Sequence, residues 1–210
     1  VCLTLCSCGS NESAEKPSAA SSDTVAKDSS PATTAAAGSR DNTPVVLTGS
    51  ADGTVTYGND SVTVDASHTE EGYLMVSYSG SNSKVKLQIT GSDEITYTYN
   101  LHDGYETFPL TSGSGSYTVG VFENIEGTSY STLFTQAIDV TIQDEFGPYL
   151  YANQYVNFSA DSKVISKAME LSASANDDLE VIENVYNYII TNFTYDYDKA
   201  ASVQSGYLPD

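Results

Sequence analysis

The stretch KVKLQIT, residues 84–90, constrains the middle of this chain most strongly. Val85, Leu87 and Ile89 alternate there with Lys84, Lys86 and Gln88. A period of two puts one set on a buried face and the other in solvent, which specifies a half-buried β-strand and excludes an amphipathic helix. The same period recurs from Val45 to Ile142. In SVTVDAS, Val62 and Val64 alternate with Ser and Thr. In GYLMVSYSG, Tyr73, Met75 and Ser77 fall on one face and Leu74, Val76 and Tyr78 on the other. EITYTYNL sets Ile95, Tyr97 and Tyr99 in phase, and GSYTVGVFENI and STLFTQAIDVTI continue the pattern.

Turn-forming residues separate these runs at Gly80–Ser83, Gly91–Asp93, His102–Gly104, Gly113–Gly115 and Glu126–Gly127. About seven short strands at roughly 10–12-residue spacing predict an antiparallel β-sandwich of Ig-like type over residues 44–143. The likeness is architectural only. Trp is absent, and no cysteine follows Cys8, so the Cys–Trp–Cys core of antibody domains cannot form.

After Phe146-Gly147-Pro148 the period changes. SADSKVISKAMELSAS places Val164, Ile165, Ala168 and Leu171 on one helical stripe, with Ser159 or Asp161 available to cap it. NDDLEVIENVYNYIITNF repeats Leu179, Ile182, Val185, Tyr186, Ile189, Ile190 and Phe193 at three- and four-residue steps. Asp177 followed by Glu180 fits a capping box, and acidic residues in the first turn suit the helix dipole. Two helices after an all-β block predict a mainly β chain with a C-terminal α segment, a second domain occupying residues 144–210.

The N-terminal residues predict an anchor. Leu5-Cys6-Ser7-Cys8 resembles a bacterial lipobox, with Cys8 as the lipidated residue and residues 1–8 as the end of a signal peptide. The competing reading is a short apolar stub with incidental cysteines. Residues 9–43 are rich in Ser, Ala, Thr, Asp and Pro and contain no aromatic residue. Such a segment buries too little apolar surface to offset its ordering entropy, so it is expected to act as a disordered tether with an r.m.s. span of about 30–35 Å. No later apolar run is long enough to span a bilayer. The expected location is the extracellular face of a cell membrane, held by lipid.

Net charge is −20, from 28 acidic and 8 basic residues. That balance excludes nucleic acid and anionic lipid headgroups as electrostatic partners. The acidic residues serve first as a solvated surface. ADGTVTYGND lacks the ligand spacing of an EF-hand loop, and neither a metal site nor a cofactor is predicted. His68 and His102 fall at strand ends or loops and are expected on the exposed surface. The 16 tyrosines suit strands and half-buried surfaces, and a glycan-stacking platform is the alternative.

The C-terminal stretch VYNYIITNFTYDYDKAASVQSGYLPD resembles the opening of the transglutaminase-like domain of bacterial extracellular proteins. In that family a helix ending in an I…N…YD pattern leads through a loop to a second helix that carries the catalytic Cys. The pattern falls here on Ile189, Asn192, Tyr195 and Asp196. GPYLYANQYVNFSADSKVISKA before it is similar to the lead-in of such lipoproteins. The likeness covers residues 146–210. It implies a papain-like Cys, His and Asp constellation acting on protein or cell-wall amides. None of those three residues carries over: no cysteine lies between Gly9 and Asp210, and neither His68 nor His102 matches a family motif. The expectation is a non-catalytic N-terminal portion of a thiol acyltransferase or peptidase. The alternative is a non-enzymatic adhesion or wall-binding module with a degenerate C-terminal domain.

Overall fold

In β4 (Val85–Thr90), Val85, Leu87 and Ile89 are buried and Lys86, Gln88 and Thr90 keep partial contact with solvent. The computed structural model describes residues 40–204 and 207, and the strand periodicity becomes two antiparallel sheets within them. Leu5, Cys6, Ser7 and Cys8, and the tether up to residue 39, lie outside the described residues.

The first sheet has the order β1 (Thr56–Gly58), β2 (Val62–Asp65), β3 (Tyr73–Tyr78) and β6 (Gly104–Pro109). The second has the order β5 (Thr96–Leu101), β4, β7 (Gly115–Glu126) and β8 (Ser129–Val140). One hydrophobic core is built from both sheets, with Val64, Val76, Phe108, Leu87, Val119 and Val121 wholly excluded from solvent. Tyr117 points its ring into that core. Its hydroxyl donates to the carbonyls of Leu110 at 3.0 Å and Gly113 at 2.7 Å, so the polar end of a buried ring is satisfied.

β5 and β3 depart from simple alternation in different ways. In β5, Tyr99 and Leu101 turn inward, but Tyr97 in the same phase, and Ile95 just before the strand, are about half exposed. This is an edge strand, and its first half runs beyond the cover of the other sheet. β3 is buried on both sides: Leu74, Val76 and Tyr78 enter the shared core, and Tyr73 and Met75 are covered from the other face. A near-continuous apolar run is what a strand covered on both faces needs.

The helices are α1 (Lys163–Ser172), α2 (Asp178–Asn192) and a short α3 (Tyr197–Ser202). Asp177 caps α2 by accepting the N–H of Glu180 at 2.9 Å, and Glu180 Oε2 accepts the N–H of Asn176 at 2.8 Å. The reciprocal cap therefore forms one residue upstream of the usual box. α1 starts after Ser162 instead of Ser159 or Asp161, and Ser162 makes no side-chain cap; its hydroxyl accepts the N–H of Ser159. The end of the expected tether is held on this helical pair: Arg40 Nε lies 2.6 Å from Asp178, and Asn42 Nδ2 donates to the Ala175 carbonyl at 3.1 Å.

Tyr117→Phe leaves the buried Leu110 carbonyl and the partly exposed Gly113 carbonyl without their donor. It is expected to lower unfolding free energy by about 1–3 kcal/mol, whereas Tyr97→Phe, on the exposed part of β5, stays within about 0.5 kcal/mol. Urea unfolding of both variants checks this.

Candidate functional site

The most densely built polar cluster lies where the β-domain meets the segment that leads to the helices. Residues 143–152 cross the face of β3 that bears Tyr73. The Gln143 N–H donates to the Glu70 carbonyl at 2.8 Å, and Leu47 and Tyr151 form a parallel bridge. The approach is close enough to require glycine on both sides. Gly72 has φ 91°, and a Cβ there would lie 2.5 Å from Cδ of Pro148; a Cβ on Gly147 would collide with the Glu71 carbonyl. The Tyr151 ring packs on Tyr73 with centroids 4.4 Å apart.

His68 sits at the centre of the cluster. It precedes the 3-10 turn Thr69–Glu71, and its ring stacks on Tyr73 at 5.3 Å and 9°. Nε2 is 3.0 Å from Asp52 Oδ2 and 3.2 Å from Ser50 Oγ. Nδ1 is 3.2 Å from Glu71 Oε1, and Glu71 Oε2 accepts the Tyr151 hydroxyl at 2.6 Å. The loop that carries Ser50 and Asp52 is itself pinned. Buried Asp65 accepts the N–H groups of Gly53 at 2.7 Å and Ser67 at 2.9 Å, while the Ser67 hydroxyl accepts those of Thr54 and Val55.

The electrostatics follow from this arrangement. Burial works against a charged imidazole, but Glu71 and Asp52 outweigh it and raise the His68 pKa. The Tyr151 hydroxyl, opposed by burial and aided by His68, lowers that of Glu71. Burial and the Glu71 carboxylate push the Tyr151 phenol well above its ordinary value. At Asp65, burial is overcome by hydrogen bonds from Ser67 and Gly53, and its pKa is lowered.

Ser50, His68 and Glu71 have the outline of a hydroxyl–imidazole–carboxylate relay. Asp52 changes the chemistry. Carboxylates on both nitrogens favour the doubly protonated imidazole, and in that form both nitrogens donate and no lone pair faces Ser50. The cluster is suited to fastening Tyr151, and with it the crossing, to the β-domain.

The sequence placed both histidines on the exposed surface. His102 is there, 54% exposed and 3.0 Å from Glu106. His68 is not: its side chain is 18% exposed, with its ring stacked on Tyr73 and its nitrogens engaged by Ser50, Asp52 and Glu71. Glu71 three residues on was a legible partner; Asp52 and Tyr151 carried no local signal. The transglutaminase-like pattern positions lie in sequence along one stretch and converge on no cavity. Ile189 is on α2 and half exposed, and Asn192 ends α2 with Nδ2 donating to the Tyr188 carbonyl at 2.8 Å. Tyr195 is exposed with its ring edge-on to Tyr197, and Asp196 caps α3 by accepting the Lys199 N–H at 2.8 Å. Among the described residues no group of three or more His, Cys, Asp or Glu side chains is arranged to hold a metal ion, and no helix is long and apolar enough to cross a membrane.

Two antiparallel sheets around one core, with the segment that leads to three C-terminal helices fastened by a histidine–carboxylate–tyrosine cluster, define a mainly β class of protein. Compared with family models, curated proteins and solved structures, the chain matches none.

A raised folded-state pKa for His68 means that its stabilising contribution is complete below the unfolded value of about 6.5 and fades as pH rises through the folded value. The urea midpoint of the wild type is expected to fall between pH 6 and pH 9, with a smaller change in His68→Gln. Keeping above pH 5.5 avoids the protonation of Glu71, whose contribution is lost on the acid side.

Proposed function

We propose that this chain is the membrane-proximal part of an extracellular lipoprotein of transglutaminase-like type. Cys8 carries the lipid, residues 9–39 form the tether, and the two sheets form an Ig-like sandwich that acts as a stalk. Residues 146–210 open a thiol-dependent domain acting on protein or cell-wall amides. In this reading the nucleophile lies outside the sequence, since no cysteine follows Cys8. Its thiolate would attack an amide carbonyl, with a histidine moving the proton and an aspartate orienting that histidine.

One observation carries the reading. Leu179, Ile182, Tyr186, Ile189 and Ile190 on α2, and Phe193 at its C-cap, are each at least half exposed, from 50% at Ile189 to 71% at Leu179. Burying such side chains is worth about 1.5–3 kcal/mol each, and a continuous apolar stripe marks a surface that something covers. The stripe runs directly into Asn192, Tyr195 and Asp196, the positions where the likeness puts the approach to the catalytic helix. The catalytic helix of such a domain is the occupant that the stripe fits.

Two measurements test it. Residues 179–193 are expected to exchange amide hydrogen at least tenfold more slowly in the full-length gene product than in this chain, and the same product is expected to hydrolyse or cross-link amide substrates. Equal protection in the two would contradict the proposal. In a host that matures lipoproteins, Cys8→Ala is expected to move the protein from the detergent phase to the aqueous phase, while Cys6→Ala leaves it anchored. Identical partitioning of wild type and Cys8→Ala would remove the lipid anchor from the account.

A further inference from the structure

The outer face of the second sheet differs from the rest of this strongly acidic chain. Three rungs cross all four strands there, set by Thr90, Gln88 and Lys86 on β4. Every outward residue on those rungs is uncharged except Lys86, although the chain as a whole carries a net charge of −20. The middle rung is Thr98, Gln88, Gly120 and Thr135. Ala137, on the Thr90 rung, is the one aliphatic side chain among them, so the face offers little to an apolar protein surface, and being almost without charge it offers little to a polyelectrolyte.

Two aromatic rings stand on this face. A Cβ on Gly120 would lie 2.9 Å from Cε2 and 3.0 Å from Cζ of Phe122. The Phe122 ring thus reclines over bare backbone, an arrangement that any side chain at position 120 would block. Tyr130 is the diagonal neighbour of Phe122 across the β7–β8 ladder, where Phe122 pairs with Thr132, so the two sit about 7–8 Å apart at the backbone. Lys86 Nζ lies 5.7 Å from the centroid of Tyr130 and donates to Asn100 Oδ1 at 3.0 Å, which fixes the second ring and a donor beside it. The hydroxyls of Thr118, Thr132 and Thr135 have no hydrogen-bond partner among the described residues.

We infer that this face binds an uncharged polysaccharide, with the apolar faces of successive pyranose rings stacked on Phe122 and Tyr130. Sugar hydroxyls then pair with the threonine hydroxyls and with Gln88. The occupant follows from the chemistry on the face. Rings supply flat apolar contact, unpaired hydroxyls supply donors and acceptors, and near-neutrality selects a neutral polymer. The inference does not rest on the transglutaminase-like reading, and it gives the β-domain a task of its own in either kind of surface protein.

Co-sedimentation of the whole chain with insoluble cellulose, chitin and starch tests it, with affinity electrophoresis in soluble β-glucan as a second measurement. Retention on at least one of these neutral polymers is expected. It should fall at least tenfold in Phe122→Ala and in Gln88→Glu, and stay unchanged in Tyr105→Ala, which alters an exposed ring on the other sheet. Gln88→Glu alters only an outward side chain and guards against a folding defect in Phe122→Ala; circular dichroism monitors both. No retention on any neutral polymer overturns the inference, as does retention only on cationic chitosan. Retention unaffected by Gln88→Glu in a folded protein overturns it too.

Discussion

Burial of β3 on both faces is the constraint on which the rest of the structure depends. One face closes the core shared by the two sheets, and the other lies beneath residues 143–152. A strand covered from both sides cannot slip by one residue without driving its whole apolar set to the wrong face. The register of the first sheet and the course of the crossing are therefore fixed together. His68, Glu71 and Tyr151 add directional bonds to this apolar contact, and the Asp52 loop is drawn in through the same imidazole.

The two parts of the described chain bury their apolar surface unequally. In the β-domain the alternating strands leave few large apolar side chains without cover. In the helical hairpin α1 and α2 cover one another only in part: Asn184 Nδ2 reaches the Leu171 carbonyl at 2.9 Å, and an open groove beside them is lined by residues 40–45 together with Ile165, Met169, Val181 and Val185. The broad stripe of α2 remains outside that contact. Stability comes from packing of an amphipathic face far more than from intrinsic helix propensity. The hairpin is accordingly the weaker element, and the apolar face that weakens it is the one suited to docking.

Much of the fold was legible because it is local. The period of two in KVKLQIT gave β4 its inward and outward sides, and the Asp177–Glu180 spacing gave the start of α2. The LMV run inside β3 already departed from alternation, which is the mark of a strand covered twice. What covers it was not legible. Residues 143–152 are mostly irregular backbone, and Tyr149 and Tyr151 read as general aromatic content of a second domain. The pairing of His68 with Asp52 spans a chain reversal that no local pattern encodes. α3 was missed because its six residues are too short for periodicity, although Asp196 is a recognisable cap. The neutral face of the second sheet was hidden for another reason: its residues come from four strands, and only the registers bring them into rungs.

The claim that the β-domain and the helical segment are fastened through β3 is tested most directly at the Glu71–Tyr151 hydrogen bond. A double-mutant cycle with Glu71→Gln and Tyr151→Phe, read by urea unfolding at pH 7, isolates the coupling between the two elements. The account predicts an interaction energy of about 1 kcal/mol or more, within the range for groups sharing one network. Additivity of the two substitutions to within about 0.3 kcal/mol would contradict it, leaving the crossing as a passive linker laid over the sheet.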